Sequence, residues 1–303
     1  MEELFRLIPD KYAAALARLN ADKLCEIRIR NGLPVGVCYD GAYYYLAPSG
    51  ITRDAGEAFT AARNEADQIV MRACGRSIYT VTETLKRGYV AVSGGVRIGV
   101  CGNAVVSGGS ITALKDFSSV NIRIPHEVKG CGATLFGRIA AGGRISSTLI
   151  VSPPGAGKTT VLRDLCRIIS EHGYNVMLCD EKYEIAAAVN GVPTLDVGPR
   201  TDVISGADKH VVLRSGIAHM RPDVVMTDEL FKEDTESVVR AAYSGVSVVA
   251  TAHASSVAEL FSKPDLSEIA ARRIFARYAV IGGAPDRGIT VYTADEAERR
   301  IAC

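Results

Sequence analysis

Between residues 152 and 160 the chain reads Ser152, Pro153, Pro154, Gly155, Ala156, Gly157, Lys158, Thr159 and Thr160. This is the spacing of a phosphate-binding loop, with Ser152 where the pattern has its first glycine. The chemistry such a loop performs is electrostatic. Gly155 and Gly157 let backbone N–H groups turn inward onto phosphate oxygens, and a following helix adds its positive end. Lys158 is expected to reach the β- and γ-phosphates, and the Thr159 hydroxyl to coordinate Mg²⁺. The implied ligands are ATP and Mg²⁺, and the implied reaction is hydrolysis of the γ-phosphate bond. A glycine- and proline-rich turn with no ligand is the plainer alternative. The strand ahead of it and the helix behind it favour the phosphate loop.

Three further groups belong to the same chemistry. Val224-Val-Met-Thr227 is an apolar strand ending in Asp228 and Glu229. One carboxylate of such a pair holds the magnesium shell, so Asp228 joins Thr159 as a candidate metal ligand, and Glu229 is a candidate base for water. Asp180, Glu181 and Glu184 follow the strand after the phosphate-loop helix, and Glu181 is the second candidate base. His253 closes Thr251-Ala-His253 and is in place to sense the γ-phosphate; a loop histidine held by a backbone partner is its bland counterpart. Each acidic pair alone would be a solvated strand end. In a parallel sheet, however, ligands gather at the carboxyl ends of strands, and all three clusters converge there. Ser262-Lys-Pro-Asp265 imitates a guanine reader, but it follows the helical stretch Val257–Phe261 where that reader follows a strand. ATP is therefore favoured over GTP.

The elements that must position these residues are readable. From Ser147 onward the pattern alternates strand and helix, the mark of a mainly parallel sheet. Its strands are Thr148–Val151, Asn175–Cys179, Val224–Thr227 and Val246–Thr251. Helices are expected over Thr159–Glu171, Asp208–Ala218 and Thr235–Tyr243, and a hairpin Tyr278–Ile281, Gly282–Gly288, Ile289–Tyr292 closes the chain. The first half is strand-rich. Asp40-Gly41 joins Leu33–Tyr39 to Ala42–Leu46 as a two-residue hairpin, because both central positions need positive φ. Ala58–Ala73 carries helical periodicity. Gly88–Val92, Val96–Val100 and Val120–Ile124 read as strands, and Leu135–Ala140 as a connecting helix. The expected architecture is a RecA-like α/β phosphate-loop core over 136–303 behind a smaller α+β domain over 1–135, with the break within 128–146.

Bulk properties narrow the classes. The 303 residues suit two domains, and 48% hydrophobic with 23% charged residues is ordinary for a globular chain. A net charge of +1 gives no bulk argument for nucleic acid or a lipid surface. The eight cysteines are scattered, none in C-x-x-C spacing, and read as buried free thiols in a reducing cytosol. The histidines form no metal-ligand spacing. The acidic start is unlike a signal peptide, and no apolar run approaches the ~20 residues of a bilayer span. A cytoplasmic protein that meets a membrane through partners is expected.

The order of phosphate loop, acidic box, acidic strand end, Asp234-Thr235 helix and Thr251-Ala-His253 resembles the secretion and pilus-motor ATPases. Within that superfamily the chain is similar to the stage III sporulation protein AA family. The carrying segments are Glu26–Arg30, Leu85–Tyr89, Val96–Gly102, Asn121–Gly130 and Asp180-Glu181, and the resemblance covers nearly the whole chain. It implies a hexameric ring, Glu181 as the box that supplies the base, Asp228 and Glu229 as Walker B, and His253 as the histidine box. It also implies that Arg97 and Arg123 reach a neighbouring subunit's ATP. The implied setting is the mother-cell side of a channel to the forespore, with integral membrane proteins as partners. Two departures stand out. Leu230-Phe231-Lys232 replaces the arginine and aspartate usual after Walker B, and Val246-Ser247 replaces Gly-His.

Two other functions compete. A nucleic-acid-dependent RecA-like ATPase would use Tyr43-Tyr44-Tyr45 to stack bases, but an amphipathic hairpin strand explains that run better, and nucleic acid is not expected as a partner. A non-hydrolysing scaffold that binds ATP to assemble is opposed by Lys158, Thr159, Asp228 and Glu229.

Overall fold

A computed structural model describes residues 2–75, 85–86, 88–283 and 288–300. Arg87, most of the Gly282–Gly288 turn and Cys303 lie outside the described residues. The chain divides into two compact units, 1–126 and 127–303, ahead of the boundary expected at 135. The cause is helix Ala133–Ile139, whose Leu135 and Ile139 are buried in the core of the second unit.

In the first unit the strands are β1 (Leu24–Arg30), β2 (Gly36–Tyr39), β3 (Ala42–Ala47), β4 (Gly50–Thr52), β5 (Tyr89–Ala91), β6 (Arg97–Ser107) and β7 (Ser110–Arg123). They form an antiparallel sheet of order β4-β3-β2-β1-β7-β6-β5. Alternation decides its faces. Ile27, Ile29, Ile98 and Ile122 are buried with Leu4, Tyr12, Ile69 and Val70 from helices α1 (Glu2–Leu7), α2 (Asp10–Leu16) and α3 (Glu65–Ala73). The Asp40-Gly41 hairpin is as expected, with φ of 53° and 78°, and Tyr43 is exposed while Tyr44 packs against the core.

Two expectations fail here. The helix begins only at Glu65; residues 58–61 run extended, with Phe59 N–H donating to Leu46 O and Ala61 N–H to Leu33 O. Sheet-edge hydrogen bonds outweigh helical periodicity in that stretch. The segment between Val100 and Val120 is a long β-ribbon through Gly108-Gly109, in which nearly every residue from Asn103 to Asp116 is exposed.

In the second unit, a short β-hairpin, β8 (Ala140–Ala141) and β9 (Arg144–Ile145), follows α4 (Ala133–Ile139). The main strands are β10 (Thr148–Ser152), β11 (Val176–Asp180), β12 (Thr201–Ser205), β13 (Val224–Glu229), β14 (Ser247–His253), β15 (Arg277–Ile281) and β16 (Ile289–Thr293). Their order is β12-β11-β13-β14-β10-β15-β16, parallel except for the final β15–β16 hairpin. Strand β12 was not expected: its alternating, half-buried Thr-Asp-Val-Ile-Ser lacks the apolar run of a central strand.

The central strands are buried on both faces. One face is covered by α5 (Lys158–Glu171) and α4. The other carries α6 (Lys209–Met220), α7 (Thr235–Tyr243), α8 (Val257–Ser262), α9 (Pro264–Ala271) and α10 (Ala294–Arg299). The backbone at Gly132 comes so close to α5 that an added Cβ would lie 2.7 Å from the Leu165 nitrogen. Among the described residues the cysteines are free. Cys74, Cys166 and Cys179 are buried, but Cys101 is exposed, contrary to the buried reading. Among the described residues no helix is long and apolar enough to cross a membrane.

Candidate functional site

The sheet register brings the chemistry together. Ser152 at the end of β10 pairs with His253 at the end of β14, and Glu229 at the end of β13 pairs with Thr251. After Ser152, Gly155 and Gly157 take φ of 76° and 95°, conformations that a side chain resists. Gly157 is the N-cap of α5, so the helix starts on Lys158 with its first N–H groups turned toward the loop. Ser152 and Ala156 are buried, Pro154 is exposed, and Pro153, Thr159 and Thr160 are half-buried. The loop thus offers backbone donors and a helix end that fit a phosphate group.

Lys158 is 8% exposed. Its ammonium donates to the Ser152 carbonyl at 3.2 Å and to Nδ1 of His253. Burial pulls its pKa down to about 8, against the charge of Glu229 and with the help of Lys263. The other imidazole nitrogen, Nε2, is 3.3 Å from Oε1 of Glu229. Because Lys158 can only donate, Nδ1 accepts and Nε2 carries the proton toward the carboxylate. Lys263, in the false guanine motif, donates to the His253 carbonyl at 2.6 Å and so anchors the end of β14.

The two acidic boxes separate into different roles. Asp180 is fully buried, and its carboxylate accepts four backbone N–H groups, from Glu184, Ile185, Ala186 and Ala187, at 2.8–3.2 Å. It organises the loop and faces no ligand. Glu184 contributes its carbonyl, which accepts from Arg163 of α5 at 2.6 Å. Of this box, Glu181 is the carboxylate whose side chain meets the end of β13, through Lys209. Glu181 reaches Nζ of Lys209 at 2.9 Å, and the same ammonium lies 3.2 Å from Asp228 and 3.7 Å from Asp234.

A one-residue slip in β13, between Met226 and Glu229, re-aims the end of the strand. Asp228 turns to Lys209 and Glu229 to His253. Burial raises the Asp228 pKa to about 6 although Lys209 opposes the shift. Burial also works against the charge of Lys209, yet Asp228, Glu181 and Asp234 together carry its pKa above the ordinary lysine range. Oδ1 of Asp228 is buried and makes no hydrogen bond of regular geometry, its charge partner being the Lys209 ammonium at 3.2 Å. Asp228 and the half-buried Thr159 hydroxyl are hard oxygen donors of the kind that suit Mg²⁺, although among the described residues no cluster of three or more acidic, histidine or cysteine side chains is set to hold a metal.

Sequence reasoning missed Lys209 and Arg163. The signal for Lys209 is a lysine in the first turn of a helix, where cations are disfavoured. Arg97 and Arg123 belong to the first unit. They face each other across β6 and β7, Glu26 of β1 pairs with Arg123, and the Arg97 guanidinium stacks 3.9 Å over the Tyr89 ring.

Comparison with known proteins identifies the family and the fold. The family model for sporulation stage III, protein AA, matches residues 2–300. Stage III sporulation protein AA of Bacillus subtilis is 33% identical over 297 residues, covering 95% of this chain and 93% of that protein. Among solved structures, the Legionella pneumophila ATPase DotB superposes with a TM-score of 0.54 at 16% identity, covering 92% of this chain and 79% of that one. The pilus retraction motor PilT with bound ADP gives 0.56 at 17% identity, covering 92% and 83%. The fold is that of the secretion and pilus ATPases, and the chain belongs to the stage III sporulation protein AA family.

Proposed function

We propose that this chain hydrolyses ATP as a ring-forming motor or assembly ATPase of a secretion-like channel between mother cell and forespore. The observation that carries the hydrolytic part is the row of Lys158, at the start of α5, His253, at the end of β14, and Glu229, at the end of β13. The loop from Ser152 to Thr160 cradles the phosphates, Lys158 leaves His253 for the γ-phosphate, and Thr159 and Asp228 hold Mg²⁺. The metal, when bound, neutralises charge that builds on the phosphate oxygens. Glu229 or Glu181 orients the attacking water and accepts its proton. Family membership supports the sporulation setting, and the fold shared with DotB and PilT supports a ring completed by Arg97 and Arg123 from a neighbour. Integral membrane proteins of the channel are the expected partners, met from the cytoplasmic, mother-cell side.

Steady-state phosphate release tests the reading. Wild type should turn over ATP, and Lys158→Ala should lose on the order of 10²–10³ in kcat, the usual cost of one preorganised donor to a charged transition state. Activity of the variant within about threefold of wild type would sink the phosphate-loop assignment. Pull-down of channel membrane proteins by wild type, set beside a hydrolysis-dead variant, tests the setting.

A further inference from the structure

Lys209 is 2% exposed and stands among three carboxylates, yet nothing in the proposed reaction uses it. A buried ion pair is a poor way to stabilise a fold, because removing an ammonium from water costs several kcal/mol and an apolar side chain of similar volume serves as well. The partners of Lys209 are also far apart in sequence. Glu181 follows β11, Asp228 lies one residue from the end of β13, and Asp234 precedes α7. The contacts are graded: Glu181 is hydrogen-bonded at 2.9 Å, whereas Asp228 and Asp234 lie at 3.2 and 3.7 Å, and Oδ1 of Asp228 has no hydrogen bond.

From this geometry we infer that Lys209 is a positioning residue: it fixes Glu181 and Asp228 relative to each other and fills, as an internal cation, the space where their charges would otherwise collect a divalent metal. Glu181 is held firmly. Asp228 is held more loosely than Glu181, by an ion pair to Oδ1 at 3.2 Å without regular hydrogen-bond geometry, and it is the carboxylate that would turn toward a metal arriving with nucleotide. Without Lys209, three carboxylates would face one another with no counter-charge, a set of hard oxygen donors suited to Mg²⁺ or Mn²⁺.

The inference rests on the hydrolytic reading, and its test separates the two. Wild type, Lys209→Met and Lys209→Arg are compared for kcat, KM and binding of Mn²⁺ without nucleotide, followed by paramagnetic resonance. Lys209→Met is expected to lose on the order of 10²-fold in kcat with KM little changed, as misplacement of reacting groups by about 1 Å can cost that much. It should also bind Mn²⁺ at least about tenfold more tightly than wild type, a gain in charge that an ordinary core defect does not produce. Lys209→Arg, which keeps the charge, should stay near wild type in Mn²⁺ binding and recover part of the rate. A folded Lys209→Met with wild-type kcat and no new Mn²⁺ site overturns the inference and leaves the hydrolytic reading intact. Wild type without ATPase activity overturns the hydrolytic reading, while the Mn²⁺ comparison still decides the placement of Lys209. If Lys209→Met fails to fold, Lys209→Gln takes its place. If that fails too, the residue serves the fold and the inference is wrong.

Discussion

The imidazole of His253 lies between Lys158 and Glu229, its Nδ1 on the ammonium and its Nε2 3.3 Å from the carboxylate. A phosphate bound in the loop would therefore have to displace the histidine from Lys158, and the same imidazole holds Glu229. Its removal should separate binding from chemistry. His253→Ala is expected to leave KM for ATP unchanged or lower, and to reduce kcat by roughly 10²-fold, the lower end of what a positioned proton-handling group contributes. A rise in KM with unchanged kcat, in steady-state kinetics, would make the histidine a simple binding contact.

The two candidate bases occupy different surroundings. Glu229 touches His253, and Glu181 touches Lys209. Glu181→Gln and Glu229→Gln should each retain nucleotide, read by a fluorescent ATP analogue, while one or both stop releasing phosphate. The variant that still turns over at the wild-type rate identifies a structural carboxylate, and the base role passes to the other.

Arg97 and Arg123 lie side by side on neighbouring strands of the first unit. If a neighbouring subunit uses them on its ATP, inactive variants should complement. Lys158→Ala subunits carry intact arginines, and Arg97→Ala subunits carry an intact phosphate loop. Mixed rings should regain part of the rate, since one phosphate-directed arginine is worth roughly 10³–10⁵. Confirmed subunit exchange with no recovered activity, for Arg97→Ala and for Arg123→Ala, would remove the shared-site idea.

Asp164 gives a pH prediction away from the chemistry. It is nearly buried on α5, accepts from Gly132 N–H at 2.8 Å and pairs with Arg167 at 2.6 Å. Burial works against its charge, but the N–H groups of Gly132 and Gly130 and the Arg167 guanidinium prevail and hold its pKa below 3.8. The folded chain thus releases this proton more readily than the unfolded chain. Its contribution to stability is complete above pH ~3.8 and is lost as pH falls further, through the folded pKa. Asp164→Asn should cost roughly 1–3 kcal/mol at neutral pH, the range for a charged hydrogen bond broken in a buried place. The gap from wild type should narrow at the acid end of a denaturation series; a gap independent of pH would assign the effect to packing.

Most of the second unit is legible because local and long-range signals coincide there. Thr148–Ser152 and Val176–Asp180 are short and wholly buried, and α5 has one apolar face, so run length and periodicity suffice. The first unit resists the same reading. Phe59 falls in helical register with Ala62, Ala66 and Ile69, yet Phe59 and Ala61 serve as a strand edge, since the carbonyls of Leu46 and Leu33 need donors. The ribbon of β6 and β7 has exposed faces and hence no alternation to detect. In the site, Lys158 and its loop are local pattern. Lys209 is not: a lysine after Asp208 reads as a solvated first-turn residue, and only the fold brings Glu181 and Asp228 to it.

The grip of Asp180 on four consecutive backbone N–H groups has a bearing on tempo. A segment so tethered, with Arg163 also bonded to the carbonyls of Glu184 and Ile185, cannot open as a lid without breaking several buried bonds at once. Next door, Glu181 and Lys209 differ in that their side chains can turn about single bonds while the main chain stays still. Rearrangement around the carboxylates then needs no opening of the main chain, and any millisecond step belongs to movements larger than this loop.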